Sequence, residues 1–189
     1  DYYAGGGGIY AETSGGTISN CKIENNHSGR GAGICIWQVE ILIMNSEILN
    51  NTSGDGCGLW GRHTNSNIVG TIIRGNDYGM DFTHGTPQID NSQFVNNLRG
   101  LKCYYSAPVI NNSEFIGNEL YAINFNYNSM NNPPTITNCN FIQNSQSSET
   151  YVTAAITAVS GVFPSLVNNN FLLNLNAVGN DDNTNFIGA

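Results

Sequence analysis

Residues 90–97 read DNSQFVNN and residues 111–118 read NNSEFIGN, the same phrase 21 positions apart. A phrase repeated at a near-constant interval restricts a chain more than its composition does. Each copy is one structural unit that must bury its apolar face against the next copy. The phrase is an Asn, a small or polar residue, a polar residue, an apolar residue, two loose positions and a closing Asn. It occurs seven times. The first position is Asn20, Asn45, Gly70, Asn91, Asn112, Asn138 and Asn168. The apolar position is Ile23, Ile48, Ile73, Phe94, Phe115, Phe141 and Phe171, and the closing one is Asn26, Asn51, Asn76, Asn97, Asn118, Asn144 and Asn174.

A second phrase, a small residue followed by an apolar one, keeps step with the first. It reads Gly8-Ile9, Gly33-Ile34, Gly58-Leu59, Gly79-Met80, Gly100-Leu101, Ala122-Ile123 and Ala155-Ile156, and Ala177-Val178 opens an eighth copy. The apolar members are spaced 25, 25, 21, 21, 22, 33 and 22 residues apart. The phrases keep their length, so the extra residues belong to loops, the longest insertion including SQSSETYVT at 145–153. A third apolar column runs through Ile18, Ile43, Ile68, Ile89, Ile110, Ile136 and Leu166, with Pro87, Pro108, Pro134 and Pro164 just ahead of four of them. Proline has no N–H to give a ladder, so it suits the mouth of a strand.

Each copy holds three short runs with period-two alternation, which is strand periodicity, and no window carries a capped helical stripe. Three short strands in about 22 residues predict one coil of a parallel β-helix. The expected fold is all-β, a single repeat domain over 1–189 with seven coils and a partial eighth. Equivalent residues of neighbouring coils should stack at roughly 4.7–4.9 Å. The Asn column is expected at the bend between the second and third strands, each amide bonding the Asn above and below. The small residue of the Gly-apolar phrase is expected to serve a bend that only a small side chain fits.

The Gly-Gly-Gly-Ile at 6–9 and the Phe-x-x-Asn runs at 94–97, 115–118, 141–144 and 171–174 resemble the repeats of bacterial right-handed parallel β-helix proteins. Such repeats occur in polymorphic outer-membrane and adhesin-like proteins of the pectin-lyase-like fold. The resemblance covers nearly the whole chain. It implies right-handed coils with three sheets, the first strand starting at Ile9 and its equivalents, and polysaccharide lying along the outer face of the first sheet. One fold hosts many activities, so it fixes the architecture more than the function.

A net charge of −8 with only six Lys and Arg leaves no basic stripe for nucleic acid. Polarity carried by Asn, Ser, Thr and Gly suits a surface outside the cell. No apolar run approaches the roughly 20 residues of a membrane span. Both ends fall inside repeat units, so the expectation is a mature or excised part of a larger extracellular protein, or a lost cap. The five Cys do not form a disulfide framework: Cys21 and Cys139 share a column but lie five coils apart, about 24 Å at strand spacing. All five are expected to be free, with Cys103 buried between Phe82 and Phe125, Cys35 pointing outward and Cys57 in a bend.

Alternation sends one set of side chains outward from the first sheet: Tyr10 and Glu12, Cys35 and Trp37, Trp60 and Arg62, Asp81 and Thr83, Lys102 and Tyr104, Asn124 and Asn126, Thr157 and Val159. His63, His84 and Tyr105 follow at the strand ends. Flat rings beside Arg, Lys, Asp and Asn are what sugar needs, because rings stack on its CH faces and polar groups bond its hydroxyls. The first expectation is therefore a non-catalytic module binding a polysaccharide or cell-surface glycan through Tyr10, Trp37, Trp60, Arg62, Asp81, Lys102 and Tyr104, with no cofactor. A surface ladder that merely supports strand pairing would use the same residues.

Two other classes stay open. A β-helix leaves two open ends, which can pair with another copy and make the chain a rod or filament subunit. A lyase or epimerase acting on uronate polymers would draw on Asp81, Lys102, Arg62, His84 and Tyr104 as acid, base and cation. Tyr78-Gly79-Met80-Asp81-Phe82-Thr83-His84 loosely resembles the Tyr-Gly-x-Asp-x-His stretch of alginate epimerases, with one extra residue before the His. The acids of pectate lyases and polygalacturonases are not clustered here. Asn180 to Asn183, with Asp181 and Asp182, could hold calcium through oxygen, though a solvated tail accounts for them as well. Four Asn-x-Ser/Thr acceptors, at Asn26, Asn50, Asn51 and Asn111, are what chance gives in so Asn-rich a chain.

Overall fold

In the computed structural model, the structure describes residues 6–52, 57–126, 133–145, 154–159, 164–174 and 178–180. The acidic pair Asp181-Asp182 and nearly all of the 145–153 insertion lie outside them. The described residues form an all-β parallel solenoid of three sheets with eight, seven and seven strands. The chain visits the sheets in strict rotation, so each strand pairs with its equivalent one coil away. The first sheet runs from Ile9–Glu12 through Ile34–Trp37, Cys57–Arg62, Tyr78–Gly85, Arg99–Ser106, Tyr121–Asn126 and Ile156–Val159 to Val178–Asn180. That makes seven three-strand coils and the opening strand of an eighth.

The register turns the sequence columns into physical stacks. Ile18, Ile43, Ile68, Ile89, Ile110, Ile136 and Leu166 stand one above the other in the second sheet. In the third sheet Phe94, Phe115, Phe141 and Phe171 stack nearly parallel, with centroids 4.6, 5.1 and 4.8 Å apart. Most of these side chains are fully buried, each worth about 1.5–3 kcal/mol against exposure. Where the first-sheet column offers Gly61, the Phe82 ring of the next coil fills the space, 2.6 Å from where a Cβ would stand.

The asparagine ladder sits at a different corner from the one expected. The first Asn of each phrase does occupy the bend between second and third strands. Its backbone is left-handed there, with φ near 50° at Asn20, Asn45, Asn91, Asn112, Asn138 and Asn168, and Gly70 takes the same conformation. Its place is the exposed outside of the turn, where Asn tolerates positive φ better than other side chains. The continuous ladder belongs to the closing Asn, after the third strand. Asn97 Oδ1 accepts from the backbone N and the Nδ2 of Asn76 at 3.0 and 3.1 Å. Its own Nδ2 donates to Asn118 Oδ1 at 3.0 Å and to Ile73 O at 3.1 Å. The same unit repeats from Asn26 to Asn174. Asn51, one of the Asn-x-Ser positions, is a fully buried member and has no surface to carry a glycan. A shorter hydroxyl ladder serves the other corner: Thr71 N donates to Ser92 Oγ and Ser92 N to Ser113 Oγ.

The Gly-apolar phrase sits in a bend at Gly8, Gly33 and Ala155, as expected, but Gly58, Gly79, Gly100 and Ala122 lie inside strands, and there the need for a small residue comes from approach between coils. A Cβ on Gly79 would lie 2.5 Å from Gly100 O, and one on Gly58 would lie 2.8 Å from Gly79 O. The middle strands start earlier than expected, at Cys57, Tyr78 and Arg99 and not at Leu59, Met80 and Leu101. All five cysteines are free thiols. Cys103 stacks between Phe82 and Phe125 as expected. Cys57 opens a strand and does not sit in a bend. Cys35 faces outward in the register yet is buried, because it packs with Cys57 and Trp60 in a small cluster outside the solenoid wall.

The two Asn columns should respond differently to substitution. Asn97→Ala is expected to cost roughly 3 kcal/mol or more in urea unfolding, since Asn76 N and Ile73 O lose buried partners at about 1–3 kcal/mol each. Asn112→Gly should stay within about 0.5 kcal/mol, because glycine adopts the same turn. Equal losses would show that the ladder does not carry the coil stacking.

Candidate site on the outer face of the first sheet

The outward columns fall where alternation puts them. Tyr10, Cys35, Trp60, Asp81, Lys102, Asn124 and Thr157 make one row. Glu12, Trp37, Arg62, Thr83, Tyr104, Asn126 and Val159 make the next. The sheet is widest in its middle, with strands of 6, 8 and 8 residues at Cys57–Arg62, Tyr78–Gly85 and Arg99–Ser106.

On these three strands lies a cleft of about 330 Å³ lined by Arg30, Trp60, Arg62, Tyr78, Asp81, Thr83, Lys102 and Tyr104. Five of the expected residues meet there: Trp60, Arg62, Asp81, Lys102 and Tyr104. Trp37 stands beside them, its ring stacked on Trp60 with centroids 5.8 Å apart, and the Arg62 guanidinium lies over it at 5.0 Å. Trp60 is only 7% exposed, so it forms the wall of the cleft and not an open platform. Tyr10 is not part of it. It lies three coils from Asp81, half exposed, and donates its hydroxyl to Glu12 Oε2 at 2.7 Å. That bond pushes the Tyr10 phenol up to about 12.

Three lining residues were not among those expected at the site. Arg30 reaches in from the turn before Ile34–Trp37 and covers Trp60 at 5.6 Å; a turn residue has no alternation to place it. Tyr78 stands two residues before the inward Met80, so alternation would turn it inward, whereas it packs with the outer cluster of Cys35, Cys57 and Trp60. Thr83 was visible as outward but carries no charge or ring to single it out.

Electrostatics divide the face. Lys102 Nζ lies 3.2 Å from Asp81 Oδ2 on a partly buried floor. Burial works against the Lys102 charge, but the Asp81 charge and hydrogen bond outweigh it and raise its pKa. Burial also lifts the Cys35 thiol to about 11 and the Cys103 thiol well above its usual value, so neither is a thiolate nucleophile. At the edge, His84 is sandwiched between His63 and Tyr105, at 4.8 and 5.2 Å with nearly parallel rings. Burial, then the charges of His63 and Arg62, lower its pKa. Above Lys102 the face changes to amides and hydroxyls: Asn124 Nδ2 donates to Thr157 Oγ1, and Asn126 Nδ2 to Asn124 Oδ1.

With fold and cleft in view, the comparisons fit the architecture. The model of the right-handed β-helix region matches residues 7–171, and the chain belongs to that family. No curated protein matches the sequence. Among the described residues no helix is long and apolar enough to cross a membrane, and no group of three His, Cys, Asp or Glu is placed to hold a metal.

The imidazole stack sets a pH signature. His84 has a folded pKa below its unfolded value of about 6.5, so its contribution is constant above that pH. As pH falls, the unfolded chain takes the proton first and stability drops until folded His84 also titrates. The melting temperature of the wild type should therefore fall more between about pH 7 and pH 5 than that of His84→Asn, which tolerates the same left-handed backbone. Identical pH profiles would remove the stack from this role.

Proposed function

We propose that the chain is a non-catalytic β-helix module, extracellular or at the cell surface, that binds glycan in the first-sheet cleft. The observation that supports it most is the convergence of rings and charge in one place: Trp60, Tyr78 and Tyr104 share a cleft of about 330 Å³ with Arg30, Arg62, Asp81 and Lys102. Rings supply the apolar contact that sugar CH faces need, and the charged groups supply directed hydrogen bonds. The volume is at the small end of ligand pockets, which span about 300–1,000 Å³, and suits one or two sugar units.

Binding is favoured over catalysis by how the titratable groups are arranged. Asp81 is paired with Lys102 at the floor, and His84 is stacked between two rings outside the lining. A general base has to reach the proton it removes, and neither carboxylate nor imidazole is offered to a ligand that way.

Calorimetric titration against a panel of acidic and neutral oligosaccharides tests this. At least one should bind without being turned over, with quenching or enhancement of tryptophan fluorescence. Tyr104→Ala should weaken that ligand at least about tenfold, the equivalent of 1.4 kcal/mol, with an unchanged circular dichroism spectrum. Unaltered affinity in Tyr104→Ala would move the site off this face, and release of product would replace the module with an enzyme.

A further inference from the structure

The first strand of an eighth coil is in place, because Val178–Asn180 pairs in register with Ile156–Val159. The chain after it reads like an earlier coil. Residues 183–188, Asn-Thr-Asn-Phe-Ile-Gly, match Asn112 to Gly117, Asn-Ser-Glu-Phe-Ile-Gly, with Asn, Phe, Ile and Gly identical. Asn138 to Gln143, Asn-Cys-Asn-Phe-Ile-Gln, agree with them equally well. In both of those coils the stretch makes the left-handed bend and then the third-sheet strand, Glu114–Ile116 and Asn140–Ile142. Residues 181–188 lie outside the described ones, so their place rests on this match and on the surface that would receive them.

That surface is the third-sheet edge at Asn170–Leu172, the last strand of its sheet among the described residues. Phe94, Phe115 and Phe141 are fully buried in their stack, whereas Phe171 at its end is only half-buried. The next ring in that column is Phe186. The outward row Val95, Ile116, Ile142 and Leu172 ends in the same way, with Leu172 47% exposed, and Ile187 continues it. At the bend, each backbone N–H is received by a side-chain oxygen of the next coil: Thr71 by Ser92, Ser92 by Ser113, Cys139 by Asn169. Thr184 carries the oxygen that would serve Asn169. Three separate columns ask for these residues in one register.

The eighth coil is also short. From Ile9 to Ile23, and likewise in the next four coils, the third-sheet apolar residue follows the first-sheet one by 14; in the sixth and seventh coils it follows by 18 and 15. From Val178 to Phe186 the step is 8. The missing length is that of the second-sheet strand with its bend. The stretch from Asn180 to Asn185 still reaches about 17 Å when extended, enough to cross between sheets about 10 Å apart. Asp181 and Asp182 fall on that crossing, and Ala189 stands where the closing Asn would, so the amide ladder is not handed on.

We propose that residues 181–188 dock on this end of the solenoid as a coil of two strands: 183–188 pairs with Asn170–Leu172, Phe186 covers Phe171, and the acidic crossing skips the second sheet. A second copy stacking here through Ile9–Glu12, Gly16–Ser19 and Lys22–Glu24 needs three strand edges at one level. It meets a second sheet that stops one coil early, at the three-residue strand Ser165–Val167, with two carboxylates crossing beside it. Short edges and charge are what keep a sheet from recruiting strands of other chains. The segment therefore closes this end against head-to-tail growth, whether or not the cleft takes glycan.

Amide exchange of the whole chain, followed by NMR, tests this. Asn170 N–H and Leu172 C=O bond the preceding coil, so the Phe171 N–H between them points to the next one. It should be protected in the wild type and exchange at least about tenfold faster in Phe186→Asp, with Asn170 unchanged. A second measurement leaves Phe186 in place. With the exposed Cys21 replaced by Ser, Leu172→Cys paired with Ile187→Cys should close an intramolecular disulfide on mild oxidation, because outward residues in register on adjacent strands are within reach. Val167→Cys paired with Ile187→Cys, on different sheets, should not. Equal Phe171 exchange in the wild type and Phe186→Asp overturns the proposal, and so does equal cross-linking of the two pairs. Protection that grows with protein concentration also overturns it, because a second copy would then be covering the edge.

Discussion

Each closing asparagine inside the ladder ties its own coil to the one before and the one after. Asn97 accepts two hydrogen bonds from Asn76, donates two to Asn118, from its backbone N and its Nδ2, and another to the carbonyl of Ile73. A corner of a solenoid turns the backbone out of its ladder, and buried polar groups left there without partners cost about 1–3 kcal/mol apiece. The amide side chain, with one acceptor and two donors, fits that need once per coil. Because a slip of one residue would break the whole ladder, it pins the register of the third sheet. The Ile and Phe columns then stack without offset, and the rows on the outside of the first sheet follow.

That dependence explains why the outer face can be so irregular. Coil-to-coil contact is secured by the closing Asn, the hydroxyl row and the buried columns, so outward positions are released from structural duty. Trp60, Asp81 and Lys102 occupy one row in successive coils, a ring followed by an ion pair where the inward columns repeat one residue type. The stacked His63, His84 and Tyr105 show the same freedom at the neighbouring turn, where all three adopt left-handed backbone.

The fold was legible because the repeat is written in the residues that make it. Columns of Ile, Phe and Asn gave the coil length, the three strands and the inward faces, and alternation placed the two outward rows of the first sheet. The corners were harder. Two Asn columns flank each third strand, and nothing in the letters says which is buried; the left-handed turn took the first and the ladder took the second. Glycine before the apolar residue reads as a bend, which holds at Gly8 and Gly33, but at Gly58, Gly79 and Gly100, inside strands, its cause is the carbonyl of the next coil. Arg30 escaped because a turn has no period, and Tyr78 because simple alternation from Met80 would turn it inward. Tyr10 was grouped with the site on row alone, and the row continues well beyond the cleft.

The most direct test of the account is an NMR map of amide and side-chain shifts as a bound oligosaccharide is titrated into the protein. The account predicts perturbations centred on Cys57–Arg62, Tyr78–Gly85 and Arg99–Ser106 and on the indole N–H of Trp60, with the second and third sheets silent. Perturbations centred on the second or third sheet, or on the end coils, would contradict it.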